Sequence, residues 1–138
     1  MAVHGGLLKL STSGNGEVAD ITAGVQAVVT QSGVQTGVAV AFAPGATVGI
    51  TTIEFEPGAV GDLRALLDKL IPAQGDYEHN VLNHDTNAHA HLRAALIGPS
   101  ESIPIVGGRL TLGTWQQIVL IDFDDRTRER EIAVQVVS

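Results

Sequence analysis

The sequence predicts a single α+β domain, residues 1–138, built from antiparallel sheets and about three helices. Two observations carry this prediction. Apolar residues recur at helical spacing in separate stretches, and the last third of the chain consists of short β-branched runs divided by turn residues. With 138 residues and 44% hydrophobic composition, the chain has the size of one compact core, so no second domain is expected.

The first third of the chain predicts two strands followed by a helix. The stretches LLKLSTSG (7–14) and GEVADI (16–21) indicate short strands around a glycine-rich turn. Asp20 is expected to cap the helix and Gly33 to end it. The buried side of the helix is indicated by apolar residues at helical spacing: Ile21, Val25, Val28 and Val29. This helix is therefore expected to cover one face of a sheet.

The middle of the chain predicts two strands and a second helix. GVAVAFAP (37–44) is a near-continuous run of small apolar residues, and TVGITTIEFE (47–56) is rich in β-branched residues, so each indicates a strand. The period then becomes helical in PGAVGDLRALLDKLIP (57–72), where Pro72 limits the helix. The apolar stripe of this helix comprises Val60, Leu63, Leu67 and Leu70.

The last third predicts two hairpins, and hence five or more antiparallel strands in the domain. In the first, SIPIV (102–106) is joined to RLTLGTW (109–115) by a Gly-Gly pair that can take positive φ. In the second, QQIVLIDFD (116–124) is joined to EREIAVQVV (129–137).

Charge and composition exclude several classes of function. A formal net charge of −7 disfavours nucleic-acid and membrane-surface partners. The absence of cysteine excludes disulfides, zinc–thiolate sites and thiol nucleophiles. No signal peptide or membrane span is indicated, so a cytoplasmic location is expected. The charge alternation in RTREREIAV (126–134) is typical of an edge strand with one solvated face; an anion-binding row of arginines is the alternative.

The stretch YEHNVLNHDTNAHAHLRAAL (77–96) is the main candidate for a functional site, because it holds four of the five histidines. Imidazole and carboxylate groups bind divalent metals and move protons near neutral pH. The alternative is a solvated loop, but small alanines between the histidines would leave room for a ligand. The remaining histidine, His4, stands alone and is expected to be structural or solvated.

The helix AHLRAALIG is predicted to begin near residues 88–90 and to end at Gly98, with Asp85 or Asn87 as its cap. The geometry of the histidines then depends on where the helix starts. If the chain is extended there, His89 and His91 point to one side together with Asn87. If the helix starts earlier, Asp85/His89 and Asn87/His91 become pairs four residues apart.

Other candidate residues lie outside this stretch. Glu54, in an apolar β run, is expected either to face solvent or to meet a cation, and alternation places Glu56 on the same face. Trp115 is expected in the core or at an interface, and the amide of Gln116 is a candidate substrate contact. Ser100 could bind a phosphate, although the sequence contains no phosphate-binding glycine loop, nucleophile elbow or HExxH motif.

The run SESIPIVGGRLTLGTWQQI (100–118) resembles the signature of the YjbQ-like family, also called secondary thiamine-phosphate synthase. The blocks YEHN, HAHLRAALIGPS and GITTIEFEPG resemble other parts of the same family, so the resemblance covers essentially the whole chain. One departure concerns a loop in which many members carry a histidine after a proline. Here Pro44 is followed by Gly45 and Ala46, which suggests that His84 or His89 compensates.

The resemblance implies a homotrimer of α+β subunits with sandwich-like sheets, and sites between subunits that collect histidines and a glutamate. It further implies transfer of a pyrimidine from its pyrophosphate to a thiazole phosphate, which releases pyrophosphate. A divalent ion, zinc first and magnesium as the alternative, is expected to neutralise the leaving group, because departure of a multiply charged anion needs compensating charge. Arg93 would add a second cation.

These expectations assign a role to ten residues. The predicted metal ligands are His79, His84, Asp85, His89 and His91, of which three or four are expected to bind one ion. The predicted catalytic residues are Glu54, His91, Arg93 and Gln116. The predicted substrate contacts are Ser100 and Thr114. Two other functions remain open: a metal-dependent hydrolase or lyase of another small phosphorylated substrate, and a non-enzymatic trimeric protein that binds a metal or metabolite.

Overall fold

The computed structural model describes all residues from 1 to 138 as two antiparallel sheets and four helices. The strands are β1 (Val3–Thr12), β2 (Glu17–Asp20), β3 (Thr36–Phe42), β4 (Val48–Ile53), β5 (Ser100–Val106), β6 (Arg109–Leu110), β7 (Gln117–Asp122) and β8 (Arg128–Val137). The helices are α1 (Thr22–Ser32), α2 (Pro57–Leu70), α3 (Glu78–Asn83) and α4 (Ala88–Ile97). The α+β class with antiparallel sheets is thus confirmed.

The two sheets stack on each other. One has five strands in the order β1-β8-β3-β5-β6, and the other has three in the order β2-β7-β4. The main core lies between the sheets and includes the inward residues of β3, β5 and β8 and the buried side of α1. A second core lies on the other face of the three-stranded sheet, where α2 and α4 cover β7.

Both predicted hairpins differ from the observed strand pairing in part. β7 and β8 follow each other in the chain but lie in different sheets, because β7 pairs with β2 and β4 whereas β8 pairs with β1 and β3. β1 and β2 likewise belong to different sheets across their glycine-rich turn. The β5–β6 hairpin exists, but β6 has two residues and the chain from 111 to 116 is irregular.

The predicted helices α1, α2 and α4 are present. Gly33 ends α1 with a left-handed φ of 71°, and Asp20 accepts a hydrogen bond from the Thr22 backbone N–H at 2.9 Å, although Ile21 occupies the capping position. In α2, Leu67 is buried whereas Leu70 at the end of the predicted stripe is 59% exposed. None of the helices has the length and apolar character needed to cross a lipid bilayer.

The outer face of the five-stranded sheet has no helix over it. Five apolar side chains lie exposed there: Val3, Leu7, Val38, Phe42 and Val106. The register places Leu7 beside Ala133, and Ala133 beside Phe42, in one row across three strands. We call these residues the outer sheet face.

Candidate functional site

His79 on α3 and His91 on α4 form the centre of the candidate site. Their rings meet edge to face, with centroids 4.6 Å apart and an angle of 64° between the ring planes. The two short helices bring them together because the chain turns between α3 and α4 at His84, which has a left-handed φ of 51°. We call these two residues the histidine pair.

The proton position on neutral His91 follows from its neighbour. Its Nδ1 lies 3.0 Å from the Ala46 carbonyl oxygen, which can only accept a hydrogen bond, so Nδ1 carries the hydrogen. Nε2 then holds the lone pair, and no group of the chain is bonded to it. A histidine held through Nδ1–H by a carbonyl is typical of metal ligands and of proton acceptors, because the contact fixes both ring and tautomer.

A small cavity lies beside His91. It has a volume of about 290 Å³ and opens to solvent. Its other lining residues are mostly small: Gly45, Ala46, Val48, Ala94, Ala95 and Pro99. The loop before β4 and the outward side of α4 therefore leave room for a ligand beside an imidazole.

His79 is held on three sides by polar groups. Its Nε2 lies 3.1 Å from Asn87 Oδ1 and 3.9 Å from Asp85 Oδ2, while its Nδ1 lies 3.4 Å from Asn83 Nδ2. Asp85 in turn accepts from the Thr86 backbone N–H and lies 3.7 Å from an Arg126 nitrogen. Asp85 therefore lies beside the Nε2 side of His79.

The other two histidines are directed elsewhere. Because α4 begins at Ala88, His89 and His91 are about 200° apart around the helix axis, so the extended arrangement that would align them is wrong. His89 is buried, and its Nδ1 has no hydrogen-bond partner. Burial, followed by the nearby Arg93 guanidinium, lowers the pKa of His89. His84 is exposed at the end of α3, and it is His79 that contacts His91.

Nitrogen and oxygen donors of the types that zinc prefers thus meet at the histidine pair. Within one chain, however, no three histidine, aspartate or glutamate side chains are arranged as a metal-binding group. The residues fit a divalent ion in chemical type, but one chain brings together fewer than the three side-chain ligands of a typical zinc site.

Arg93 is bonded to α2. Its Nε and Nη2 donate to the Ile71 carbonyl oxygen at 3.0 and 2.6 Å, and Nη2 lies 3.1 Å from Asp68 Oδ1. Its side chain is 8% exposed. The guanidinium therefore fastens α4 to the C-terminal end of α2, and it does not line the cavity beside His91.

Three further predicted site residues lie together on another part of the chain. Glu54, Thr114 and Gln116 line an open depression of about 430 Å³ with Trp115, which is 72% exposed. The Gln116 amide is bonded within the chain, to Thr52 Oγ1 and to the Gly113 backbone N–H, both at 3.1 Å. Ser100 begins β5 opposite Phe42, one residue after Pro99 of the cavity beside His91.

A buried ionic network supports the site, and the sequence did not indicate it. Arg130 donates to both oxygens of Asp122 at 2.7 and 2.8 Å, and Arg128 donates to Asp124 at 2.8 and 2.7 Å. Thr47 connects the two pairs, because its hydroxyl accepts from Arg130 at 2.8 Å and donates to Asp124 at 3.2 Å. Both aspartates are fully buried.

The prediction that residues 126–134 form an edge strand is wrong, because β8 is an interior strand of the five-stranded sheet. β8 lies between β1 and β3, and its arginines turn inward to the aspartates at the end of β7. Arg126 also pairs, with Asp125 at 3.2 Å, so these guanidinium groups do not form a free row for anions. The signal that could have located the network is the run DFDD, since consecutive carboxylates after a buried strand need cationic partners.

The whole chain is similar to proteins of one family. A family model described as UPF0047 protein YjbQ-like matches residues 7–138. A UPF0047 protein of Methanothermobacter thermautotrophicus is 37% identical over 138 residues, which is 100% of this chain and 94% of the relative. The UPF0047 protein YugU of Bacillus subtilis is 35% identical over 124 residues, covering 88% of this chain and 91% of the relative.

Solved structures that are similar to this chain point to the same family. An uncharacterised conserved protein of the YjbQ/UPF0047 family from Clostridium acetobutylicum superimposes with a TM-score of 0.87 at 41% identity, covering 95% of this chain and 98% of the other. A hypothetical protein from Aeropyrum pernix superimposes with a TM-score of 0.90 at 34% identity, covering 97% and 98%. The fold, the aligned length and the family match lead to one conclusion: the chain belongs to the YjbQ-like UPF0047 family.

Proposed function

We propose that this protein is a metal-assisted transferase of small phosphorylated metabolites, of the thiamine-phosphate synthase type that the family resemblance implies, with its site at the histidine pair. The observation that carries the proposal is His91, whose Nδ1–H is fixed by a backbone carbonyl while its Nε2 remains free beside a small cavity. The fixed ring is ready to bind without reorganising.

In this proposal His79 and His91 hold a divalent ion, zinc first and magnesium as the alternative, and Asp85 supplies a nearby carboxylate. When bound, the ion supplies positive charge that stabilises a phosphorylated leaving group. The small lining residues of the cavity leave room for the substrate beside His91.

The charges around the site support the need for an added cation. The guanidinium groups of Arg126, Arg128 and Arg130 each pair with an aspartate, and Arg93 is bonded to α2. A chain with a formal charge of −7 therefore offers little free positive charge to a pyrophosphate. A bound metal would supply it.

The proposal includes a homotrimer. Glu54 and Thr114 lie in a depression separate from the cavity beside His91. We infer that a neighbouring subunit brings this depression, with the exposed Trp115, to the histidine pair. The exposed apolar side chains of the outer sheet face support self-association, because a soluble monomer rarely leaves such a row uncovered.

The test combines metal analysis of the purified protein with an assay of thiamine-phosphate formation from the pyrimidine pyrophosphate and the thiazole phosphate. His91→Gln should reduce metal content and turnover at least tenfold, and excess chelator should abolish turnover. His4→Gln is the matched control, since His4 lies on β1 away from the pair. Turnover that persists in chelator or in His91→Gln would overturn the proposal.

Two other outcomes would replace the transferase proposal with a different function. Consumption of a different substrate from a panel of phosphorylated metabolites, with the same dependence on metal and His91, would identify a hydrolase or lyase that uses this site. Metal bound through His91 without turnover of any phosphorylated substrate would identify a non-enzymatic metal-binding protein.

A further inference from the structure

We propose that Asn87 is a positioning residue: held by Asp124, it fixes the hydrogen of His79 on Nε2 and so leaves Nδ1 as the ligand-binding nitrogen of that ring. The consequence for metal binding rests on the proposed function, but the tautomer itself does not. Asn87 is 6% exposed and occupies the capping position of α4, where its side chain makes no capping hydrogen bond. Its amide is therefore available for another task.

The orientation of the Asn87 amide follows from Asp124. The Asp124 carboxylate is fully buried and already accepts hydrogen bonds from Arg128, so it is charged and can only accept. The atom of Asn87 that faces Asp124 Oδ1, at 3.4 Å, must then be the Nδ2 amide nitrogen. Reversing the amide would place two acceptors against each other in a buried setting, which is strongly unfavourable.

The tautomer of His79 follows from the orientation of Asn87. With Nδ2 turned to Asp124, the oxygen Oδ1 faces His79 Nε2 at 3.1 Å. An amide oxygen only accepts, so Nε2 carries the hydrogen of the neutral ring. Asp85 Oδ2 lies 3.9 Å from the same nitrogen, and this carboxylate oxygen also favours a hydrogen on Nε2.

The other side of the ring gives independent support. Asn83 Nδ2 lies 3.4 Å from His79 Nδ1 and 3.0 Å from the His79 carbonyl oxygen. Because Nδ2 is a donor, it meets a lone pair on Nδ1. Asn83 is exposed, and its weak contact with the ring can be replaced by a ligand without opening the core. The histidine pair thus holds opposite tautomers, with the lone pair on Nδ1 of His79 and on Nε2 of His91.

The tautomer can be measured in the metal-free protein. Nitrogen-15 NMR of histidine-labelled protein at about pH 8, where imidazole is neutral, distinguishes the two tautomers by the shifts of Nδ1 and Nε2. His79 should show the Nε2–H form and His91 the Nδ1–H form. An Nδ1–H form of His79 in the parent protein would overturn the proposal whatever any variant does.

Two variants separate positioning from mere structural support. Asn87→Ala should shift His79 from the Nε2–H form to a mixture and weaken zinc binding by about 10- to 100-fold, as loss of an outer-shell partner does. Asn83→Ala is the matched control: it removes only the weaker 3.4 Å contact on Nδ1, so the Nε2–H form held by Asn87 at 3.1 Å should still predominate. An unchanged tautomer in a folded Asn87→Ala protein would refute the role of Asn87.

Failure of this inference is distinguishable from failure of the proposed function. If the parent protein binds no zinc but His79 is in the Nε2–H form and shifts in Asn87→Ala, the positioning role stands and the metal-assisted function falls. If zinc binds through His91 and the tautomer of His79 does not depend on Asn87, the function stands and this inference falls.

Discussion

Two carboxylates at the end of β7 carry charge where almost no water reaches them. Burial raises the pKa of Asp122, but hydrogen bonds from Arg130 and Thr12 outweigh it, so the net pKa is lowered. Burial also raises the pKa of Asp124, and hydrogen bonds from Arg128, the Asp125 backbone and Asn87 again outweigh it. Removing one member of such a pair leaves a buried charge unpaired, which typically costs about 3 to 5 kcal/mol.

This network predicts a loss of stability in acid. Both carboxyl pKa values are lower in the folded protein than the value of about 3.9 in an unfolded chain, so their contribution is present above about pH 4 and is lost progressively as the pH falls below it. Urea unfolding at a series of pH values should show this fall. Asp122→Asn should flatten it, whereas Asp62→Asn, on the exposed side of α2, should not. If the free energy of unfolding fell equally steeply with pH in both variants, the acid sensitivity could not be assigned to Asp122.

A second prediction at this scale concerns Arg93. Arg93→Ala removes two hydrogen bonds to the Ile71 carbonyl, which has lost its helical partner at the end of α2, and should lower the free energy of unfolding by about 2 kcal/mol. Because the guanidinium is turned to α2, turnover per folded molecule should be nearly unchanged. Chemical denaturation and an activity assay on the same samples would separate the two effects.

The catalytic role that the sequence suggested for Arg93 would require the opposite result. Turnover lowered by one to three orders of magnitude with unchanged stability would restore that role. Arg93→Lys serves as the control, because it keeps the charge near Asp68 but not the paired contact with Ile71.

At the scale of the element, the start of α2 depends on one glutamate. β4 ends at Ile53, so the strand alternation that would place Glu54 and Glu56 on one face does not extend to them. Glu56 caps α2: its carboxylate accepts from the Gly58 backbone N–H at 2.9 Å and from the Ala59 backbone N–H. Glu54 is exposed and is not part of the cap.

The two glutamates therefore make a matched pair of variants. Glu56→Ala should lower the free energy of unfolding by about 1 kcal/mol, since two N–H groups of the first helical turn lose their acceptor. Glu54→Ala should change it by less than about 0.5 kcal/mol, as exposed substitutions usually do. Denaturant midpoints measured side by side would check the difference, and equal effects would show that the cap is not the cause.

The elements differ in how well the sequence predicts them. α1, α2 and α4 have apolar periodicity and end signals such as Gly33 and Gly98, which act locally. The six-residue α3 has no buried residue and contains asparagine and histidine, which are weak helix formers, so it carried no periodic signal. Strand partners are not local either, and this is why β7 and β8 appeared to be a hairpin.

In the candidate site, too, the sequence predicted what depends on composition and missed what depends on tertiary contacts. The density of histidines pointed to the segment that holds the histidine pair, because composition does not depend on tertiary contacts. The sequence could not select His79 and His91 from the four, since that depends on how α3 packs against α4 and on a carbonyl from residue 46. It likewise could not show that Arg93 would be bonded to the end of α2.

At the scale of the whole molecule, assembly is the principal prediction. The homotrimer proposed above should appear as a mass of three chains by light scattering at micromolar concentration. Phe42→Glu on the outer sheet face should give a folded monomer, because a charge in an apolar interface is costly to desolvate. Leu66→Glu on α2 is the control, since Leu66 is 51% exposed away from that face.

The outcome of this experiment also decides where the site is completed. A monomeric parent protein would remove the intersubunit part of the proposal and leave Glu54 and Thr114 without a role beside His91. A trimer that survives Phe42→Glu but not Leu66→Glu would move the interface from the outer sheet face to the helices.

The loop at Pro44–Ala46 constrains how this protein could have changed over time. Ala46 contributes a carbonyl, which any residue would provide, whereas Gly45 has a φ of 154° and a Cβ there would lie 3.0 Å from Val48 and 3.1 Å from Arg130. A histidine placed after Pro44, as the family resemblance would have it, would therefore adopt a strained φ and would need Val48 and Arg130 to shift by a few tenths of an ångström. Position 45 is therefore epistatic with positions 48 and 130, because the effect of a side chain at 45 depends on whether those two neighbours can give way.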